Sequence, residues 1–486
     1  MDTNLGWQKS YENYEVFYAK DNQCIDELGL KIDIEKLAVN RTDDKVNLGI
    51  RNYDNRLYSS NYVGICYLKD KDGNNIKTKD TQREVVFKVG SRFNISIIDI
   101  LNYIRSDDEF ERYLAPQTIR KNQQDIDIES LESNELFHFF QNEKPIKLQT
   151  DMVDDSSIIN VTLFLTALKE LCRRPLMGKM IKCDENLTGK LKGKVLFNQH
   201  IKSNVIKGRN DRIYCQYLKY SYDIKENQIL KCALVKAGKF IKCYFKGISS
   251  KNTNYTEVIT YCNKALENIT YKKISVKDCE GLKFSGCYSY YKDIIQLAKM
   301  VINEVSIDIN GHAKNTNIIM PYAVSMEKLF EIYIRAYLKN NGFSSYKNSD
   351  SIKLQLGKYD DKKSIFENSK RGMANYIGGV IKPDIIIRNP KNNEIIIFDV
   401  KYKDYRKKRY AREDRLQLLA YALMYNCSHV GLIFPQNFDE EIDIFEPQKI
   451  QSLEKREIKY HQLAIKFNEH NLKNEQSISE YIKSLL

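Results

Sequence analysis

Asp399 and Lys401 stand two residues apart at the end of the apolar run Ile395–Val400, and Asp384 opens another apolar run, Ile385–Ile387. The stretch PDIIIRNPKNNEIIIFDVKYK, starting at Pro383, sets these runs around the turn cluster Asn389–Asn393 and predicts a β-hairpin. With the turn centred between Lys391 and Asn392, Asp384 falls opposite Asp399, their Cβ atoms about 5 Å apart. Residues two apart on a strand share a face, so Lys401 lies beside Asp399. Opposed carboxylates in an apolar hairpin repel unless a cation lies between them. The chemistry they suit is that of a hard divalent cation. Mg2+, for which Mn2+ can substitute, takes oxygen ligands, and the main-chain carbonyl of Val400 could add one. Lys401 would then orient metal-bound water and offset phosphate charge. The plainer reading is an ion-paired strand end that reaches solvent. Asp384 opposite Asp399 weighs against it.

Two helices must position these groups. PYAVSMEKLFEIYIRAYLKN (Pro321–Asn340) predicts a helix with Met326, Leu329, Phe330, Tyr333, Ile334, Tyr337 and Leu338 on one face; Ser325 is a candidate cap, and Pro321 suggests an earlier start. Glu327 and Glu331 lie along one flank, where a carboxylate can reach whatever the helix packs on; two solvated glutamates is the alternative. AREDRLQLLAYALMYN (Ala411–Asn426) predicts the second helix, with Asp414, Gln417 and Tyr421 on one side and Gln417 and Tyr421 as i,i+4 neighbours. HVGLIFPQ (His429–Gln436) supplies a further apolar strand. The loop ahead of the second helix carries Arg406, Lys407, Lys408 and Arg409, with Arg412 following. Such runs are usually solvated. Next to a metal site they suit phosphate contacts, as does Lys403.

Composition sets the frame. The chain has 486 residues, enough for two or three domains. Net charge is +13, which favours an anionic partner, and nucleic acid leads. The eleven cysteines form no C-x-x-C pair, pointing to a reducing cytoplasm without structural zinc. MDTNLGWQKS shows no basic-then-apolar leader, and no apolar run is long enough to span a bilayer. TGKLKGKV has glycines in the wrong order for a P-loop, so no nucleotide site is expected in this chain.

Three blocks are expected. Residues 1–155 are polar and Tyr-rich, with a strand at Arg83–Gly90, a short helix at Ile95–Ile104 and a solvated acidic connection near Asn122–Glu135. Residues 156–310 are mainly helical, with helices at Ser157–Arg174, Asp223–Ile241 and Tyr290–Val305, and strand and loop at Gly189–Ile201. Residues 311–486 carry the hairpin and its helices. The class is α/β (α+β), multidomain, with a mixed sheet flanked by helices at the C-terminal end.

Pro383-Asp384, Asp399-Val400-Lys401 and Gln417-x-x-x-Tyr421, in that order, resemble the PD-(D/E)xK nuclease superfamily in its Q-x-x-x-Y branch. LFE (Leu329–Glu331) resembles the first-helix glutamate of such enzymes, which favours Glu331 over Glu327. Within that superfamily the chain is similar to the McrC family, the nuclease subunits of McrBC modification-dependent restriction systems. LTGKLKGKVLFNQHI (from Leu187), RIYCQYLKYSYDIKENQILKCAL (from Arg212) and MEKLFEIYIRAYL (from Met326) follow the order seen there. The resemblance implies a Mg2+-dependent endonuclease acting on double-stranded DNA in antiphage defence. Asp384, Asp399 and Glu331 would hold metal, Lys401 would position or activate water, and Gln417 and Tyr421 would support the site. It also implies a hexameric, GTP-hydrolysing AAA+ partner of the McrB type that the chain stimulates, with docking on residues 1–155 by position alone. Two alternatives stay open. One is a nuclease without that motor. The other is a non-catalytic DNA-binding scaffold that activates an NTPase.

Overall fold

The computed structural model describes residues 7–10, 13–29, 31–39, 46–93, 95–104, 136–140, 143–144, 146–149, 156–244, 253–284, 286–309, 316–319, 321–345, 355–356, 363–364, 380–381, 383–389, 391–405, 412–436, 444–451, 457–466 and 475–485. The acidic connection near Asn122–Glu135 and the basic residues Arg406, Lys407, Lys408 and Arg409 lie outside the described residues. The chain packs as two compact units. One comprises Met1–Phe110, Asp125–Ile146 and Met320–Leu486, and the other Glu111–Gln124 and Lys147–Ile319. Residues from the first and third sequence blocks thus share one unit.

The first unit begins with a sheet. Strands β1 (Trp7–Ser10), β2 (Tyr14–Lys20), β3 (Tyr62–Tyr67) and β4 (Glu84–Gly90) precede helix α1 (Ile97–Ile104) and strand β5 (Phe137–Phe139). Val85, Phe87 and Val89 share one face of β4, and they join Phe17, Ala19, Tyr62 and Cys66 in one apolar core.

The second unit contains helices α2 (Ser156–Cys172), α3 (Lys225–Tyr244), α4 (Thr253–Ala265) and α5 (Tyr291–Ile309). It also contains strands β6 (Lys179–Thr188), β7 (Lys194–Val195) and β8 (Arg212–Ser221), in the order β7-β8-β6. The ten-residue pairing of β6 with β8 adds an unexpected sheet to a unit that is otherwise mainly helical. Asn227 on α3 anchors this sheet to the helices. Its side-chain amide donates to the carbonyls of Met177 (2.9 Å) and Tyr222 (2.7 Å), and its oxygen accepts from the Tyr291 hydroxyl at 2.9 Å. The sheet and the short helical turn at Phe197–His200 leave Met180, Leu191, Phe197, Val205, Ile206 and Leu218 exposed.

The chain then returns to the first unit. Strand β9 (Tyr322–Ser325) pairs antiparallel with both β3 and β5, completing a sheet of order β1-β2-β4-β3-β9-β5. Of the two starts expected for the following helix, the one near Pro321 is thus not adopted and the one capped by Ser325 is. The helix, α6 (Met326–Asn340), starts directly after β9, and Ser325 occupies its N-cap without a side-chain capping bond. Gly64 permits the pairing: a Cβ there would stand 2.1 Å from the Tyr322 carbonyl oxygen.

Beyond α6 come strands β10 (Ser344–Ser345), β11 (Gln355–Leu356), β12 (Ile385–Arg388) and β13 (Ile395–Val400), then helix α7 (Arg412–Met424). Strands β14 (His429–Gln436), β15 (Ile444–Gln451) and β16 (Glu457–Lys466) and helix α8 (Glu475–Ser484) follow. Their seven-stranded sheet runs β10-β11-β12-β13-β14-β16-β15 and is mixed: β12 is antiparallel to β13, while β13, β14 and β16 are parallel. Its inner strands are apolar almost throughout because both faces are covered. Gly431 on β14 is required by close packing, since a Cβ would meet the Phe398 ring at 2.7 Å and the His461 carbonyl at 2.8 Å. The described cysteines are free thiols, and no described helix is long and apolar enough to cross a membrane.

Candidate active site

The hairpin register pairs Ile385 with Phe398 and Arg388 with Ile395. Continued by one residue, it sets Asp384 across from Asp399, the arrangement predicted from the turn. Asp384 turns one oxygen onto its partner strand, where Oδ2 accepts the Val400 N–H at 2.8 Å. Asp399 is 1 % exposed, and its Oδ2 faces the Lys401 Nζ at 2.8 Å. The Val400 side chain points away from the charged pair, as strand alternation requires.

The Q-x-x-x-Y pair completes this corner. Gln417 Nε2 donates to the Tyr421 hydroxyl at 2.7 Å, and that hydroxyl donates to Asp399 Oδ1 at 3.5 Å. Adjacent turns of α7 thus deliver one chain of hydrogen bonds to the carboxylate. Burial raises the Tyr421 phenol pKa, and the charges of Asp399 and Asp384 raise it further, so the hydroxyl keeps its proton and remains a donor.

Helix α6 brings the third carboxylate. Glu327 is exposed, whereas Glu331 is half-buried with its Oε1 shielded from solvent and without a hydrogen-bond partner. Arg335, one turn further on, was not singled out from sequence, although its i,i+4 spacing from Glu331 is a usable signal. Its guanidinium donates to the main-chain carbonyl of Asp384, which ties the helix to the hairpin.

Electrostatically the corner is frustrated. Burial holds Asp384 well above the usual carboxylate range, and the negative charges of Glu331 and Asp399 add to it, against the Val400 N–H and Lys401. Burial likewise raises Glu331, with Arg335 and Lys328 opposing and Asp399 assisting. For Lys401 burial pulls the pKa down, but Asp399 and Asp384 outweigh it and the net shift is upward.

The remaining candidates divide. Asp414 does not join Gln417 and Tyr421 at Asp399. It is buried, accepts from Lys403 Nζ at 2.9 and 3.0 Å, and accepts from the Tyr405 hydroxyl at 2.9 Å. Lys403 is consequently held by a buried carboxylate, which qualifies its reading as a phosphate contact. Arg412 is exposed at the start of α7.

A cation site is testable against these residues. Among the described residues no three His, Cys, Asp or Glu side chains stand ready as a metal cage. One oxygen of Asp399 is engaged by Lys401 and one of Asp384 by Val400. The donor chemistry nevertheless fits a hard cation: all-oxygen ligands, an unpartnered Glu331 Oε1, and carboxylates whose mutual repulsion a divalent ion would relieve.

Comparison with known proteins gives a family. The model for McrBC 5-methylcytosine restriction system components matches residues 58–435. Two chains from Thermococcus gammatolerans structures are similar. One comes from a half-complex of a tetradecameric assembly of McrB AAA+ hexamers with bound McrC, at 13% identity and TM-score 0.41, covering 98% of this chain and 100% of that one. The other comes from a McrBC complex, at 16% identity and TM-score 0.29, covering 68% of this chain and 88% of that one. No curated protein matches.

Proposed function

The chain belongs to the family of McrBC 5-methylcytosine restriction system components, and from that premise we propose that it is the McrC-type nuclease subunit, a metal-dependent DNA endonuclease. The observation that carries this reading is the opposed pair Asp384 and Asp399 with Lys401 alongside, kept buried although like charges there cost stability. A scaffold with no chemistry to perform gains nothing from that arrangement.

Asp384, Asp399 and Glu331, with the main-chain carbonyl of Val400, would hold Mg2+ or Mn2+. The ion would supply Lewis acidity and a hydroxide-like nucleophile. The chain's own residues define the rest. Lys401, paired with Asp399 at 2.8 Å, would position or activate water and stabilise the charge that builds on the phosphate. Tyr421, carrying Gln417 behind it, fixes the rotamer of Asp399. Arg335 holds the Asp384 backbone against α6, setting the spacing of Glu331. Arg412 and the basic residues Arg406, Lys407, Lys408 and Arg409 supply positive charge for the DNA backbone.

The partner proposed with it is a GTP-hydrolysing AAA+ hexamer of the McrB type, which this chain would stimulate and which would deliver DNA. Docking was expected on residues 1–155. The exposed apolar side chains on and beside the β6–β8 sheet favour the second unit instead.

The test is cleavage of methylated double-stranded DNA with Mg2+ and the AAA+ partner. Lys401→Ala should lose cleavage by on the order of 10²-fold or more, with partner binding intact. Wild-type cutting by that variant rejects the assignment.

A further inference from the structure

The N-terminal sheet reaches the candidate site through one turn. Ser91, Arg92 and Phe93 lie between β4 and α1, and all three meet Tyr402, the residue directly after Lys401. Arg92 Nη2 donates to the Tyr402 carbonyl at 2.5 Å, and its guanidinium carbon lies 4.9 Å from the centre of the Tyr402 ring. Ser91 Oγ and the Tyr402 hydroxyl share a hydrogen bond of 3.1 Å. The Phe93 ring meets the Tyr402 ring edge-on at 5.2 Å. Asp21, 1 % exposed at the end of β2, secures the turn: it accepts the Arg92 N–H and faces Arg92 Nε at 3.6 Å.

Tyr402 is also where the other wall of the site arrives. Phe330, the residue before Glu331, packs its ring 6.2 Å from that of Tyr402. Helix α1 continues the brace, with the Tyr103 ring 5.1 Å from that of Tyr333 on α6. Backbone and side chain of one tyrosine are thus gripped from the N-terminal sheet, one residue from Lys401 and across a ring contact from the neighbour of Glu331.

We propose that Arg92, anchored by Asp21, is a positioning residue for the nuclease centre: it locks Tyr402 and so holds the Lys401 ammonium on Asp399. A half-buried guanidinium that donates, pairs and stacks at once is a rigid clamp that lysine cannot reproduce. The inference rests on the nuclease reading only for its catalytic consequence.

The experiment uses the full chain with its AAA+ partner and compares wild type, Arg92→Ala and Arg92→Lys. DNA cleavage is measured with Mg2+, DNA affinity separately, and acetylation of Lys401 by mass spectrometry in the absence of metal, with Lys31 as internal control. Both variants should lower kcat about tenfold or more with DNA affinity unchanged, because small misplacements of catalytic groups are costly. Lys401 acetylation should rise severalfold while that of Lys31 stays constant. Arg92→Lys retains the charge, so it decides the matter if Arg92→Ala fails to fold. Wild-type kcat and Lys401 labelling in a folded variant overturn the proposal, as does labelling that rises equally at Lys31. If wild type itself does not cut, the nuclease reading fails, and the labelling still decides whether Arg92 positions Lys401.

Discussion

The seven-stranded sheet buries polar side chains on both of its faces, in opposite ways. On the face covered by α8, His461 is fully buried; its Nε2 shares a 2.9 Å hydrogen bond with His429 Nδ1, and its Nδ1 shares another with the Tyr481 hydroxyl. Burial lowers its pKa to about 4, with the nearby His429 and Lys459 adding to the effect, so the ring stays neutral and its two nitrogens are both satisfied. Asp399 points to the other face, under α7, into a corner of three carboxylates and a lysine. The histidine cluster is a settled hydrogen-bond network, which contributes to stability. The carboxylate corner contributes repulsion. Buried polarity alone therefore does not mark a candidate site; buried polarity that stays in conflict is what singles out this corner.

The comparison can be broken by mutation. Asp399→Asn should reduce cleavage on the order of 10²-fold or more. Its stability should stay within about 1 kcal/mol of wild type, since loss of the Lys401 pair opposes relief of Asp384 and Glu331. His461→Leu should do the reverse, costing about 1–3 kcal/mol in denaturant unfolding by leaving its partners unsatisfied, with full cleavage by the folded enzyme. A His461→Leu protein of normal stability, or an Asp399→Asn protein that cuts, would erase the distinction.

Proton linkage sharpens it next. Between about pH 4 and 6.5 the unfolded histidine binds a proton that folded His461 does not, so stability rises with pH on its account. Asp384 and Glu331 have the opposite sign. Their folded pKa values lie above the unfolded 3.8 and 4.5, so in metal-free protein stability falls as pH rises from the unfolded toward the folded values. Urea unfolding across pH 4–8 should show the acid-side loss flattened in His461→Leu and the loss on raising pH flattened in Asp384→Asn.

The smallest effect belongs to Tyr421. Phenylalanine there keeps the packing and removes one link to Asp399, so cleavage should fall a few-fold to about tenfold. Gln417→Ala should match it if the two act as one chain.

The site's local parts were legible in sequence. The turn cluster at Asn389–Asn393 fixed the hairpin register, and i,i+4 spacing joined Gln417 to Tyr421. What could not be read depended on distant partners. Lys403 is claimed by Asp414, eleven residues on, and nothing in the basic loop announces that pairing. Tyr322–Ser325 is too short for its period to separate strand from helix, and only β3 and β5 decide. Arg92 is 71 residues from Asp21 and 310 from Tyr402, so no local pattern links them. The β6–β8 sheet was missed because its strands are largely exposed and lack a clean apolar face.

Strand β9 has a consequence for how the molecule is made. It sits between β3 and β5, yet it leaves the ribosome more than 170 residues after β5. Until then β3 has an open backbone edge, the kind that recruits strands from other chains. The second unit is synthesised during that wait. Expression in a heterologous host should therefore respond to translation speed and chaperone supply. A truncated chain ending near residue 155 would carry the open edge permanently, and a fragment starting near 311 would carry a strand with no sheet to enter.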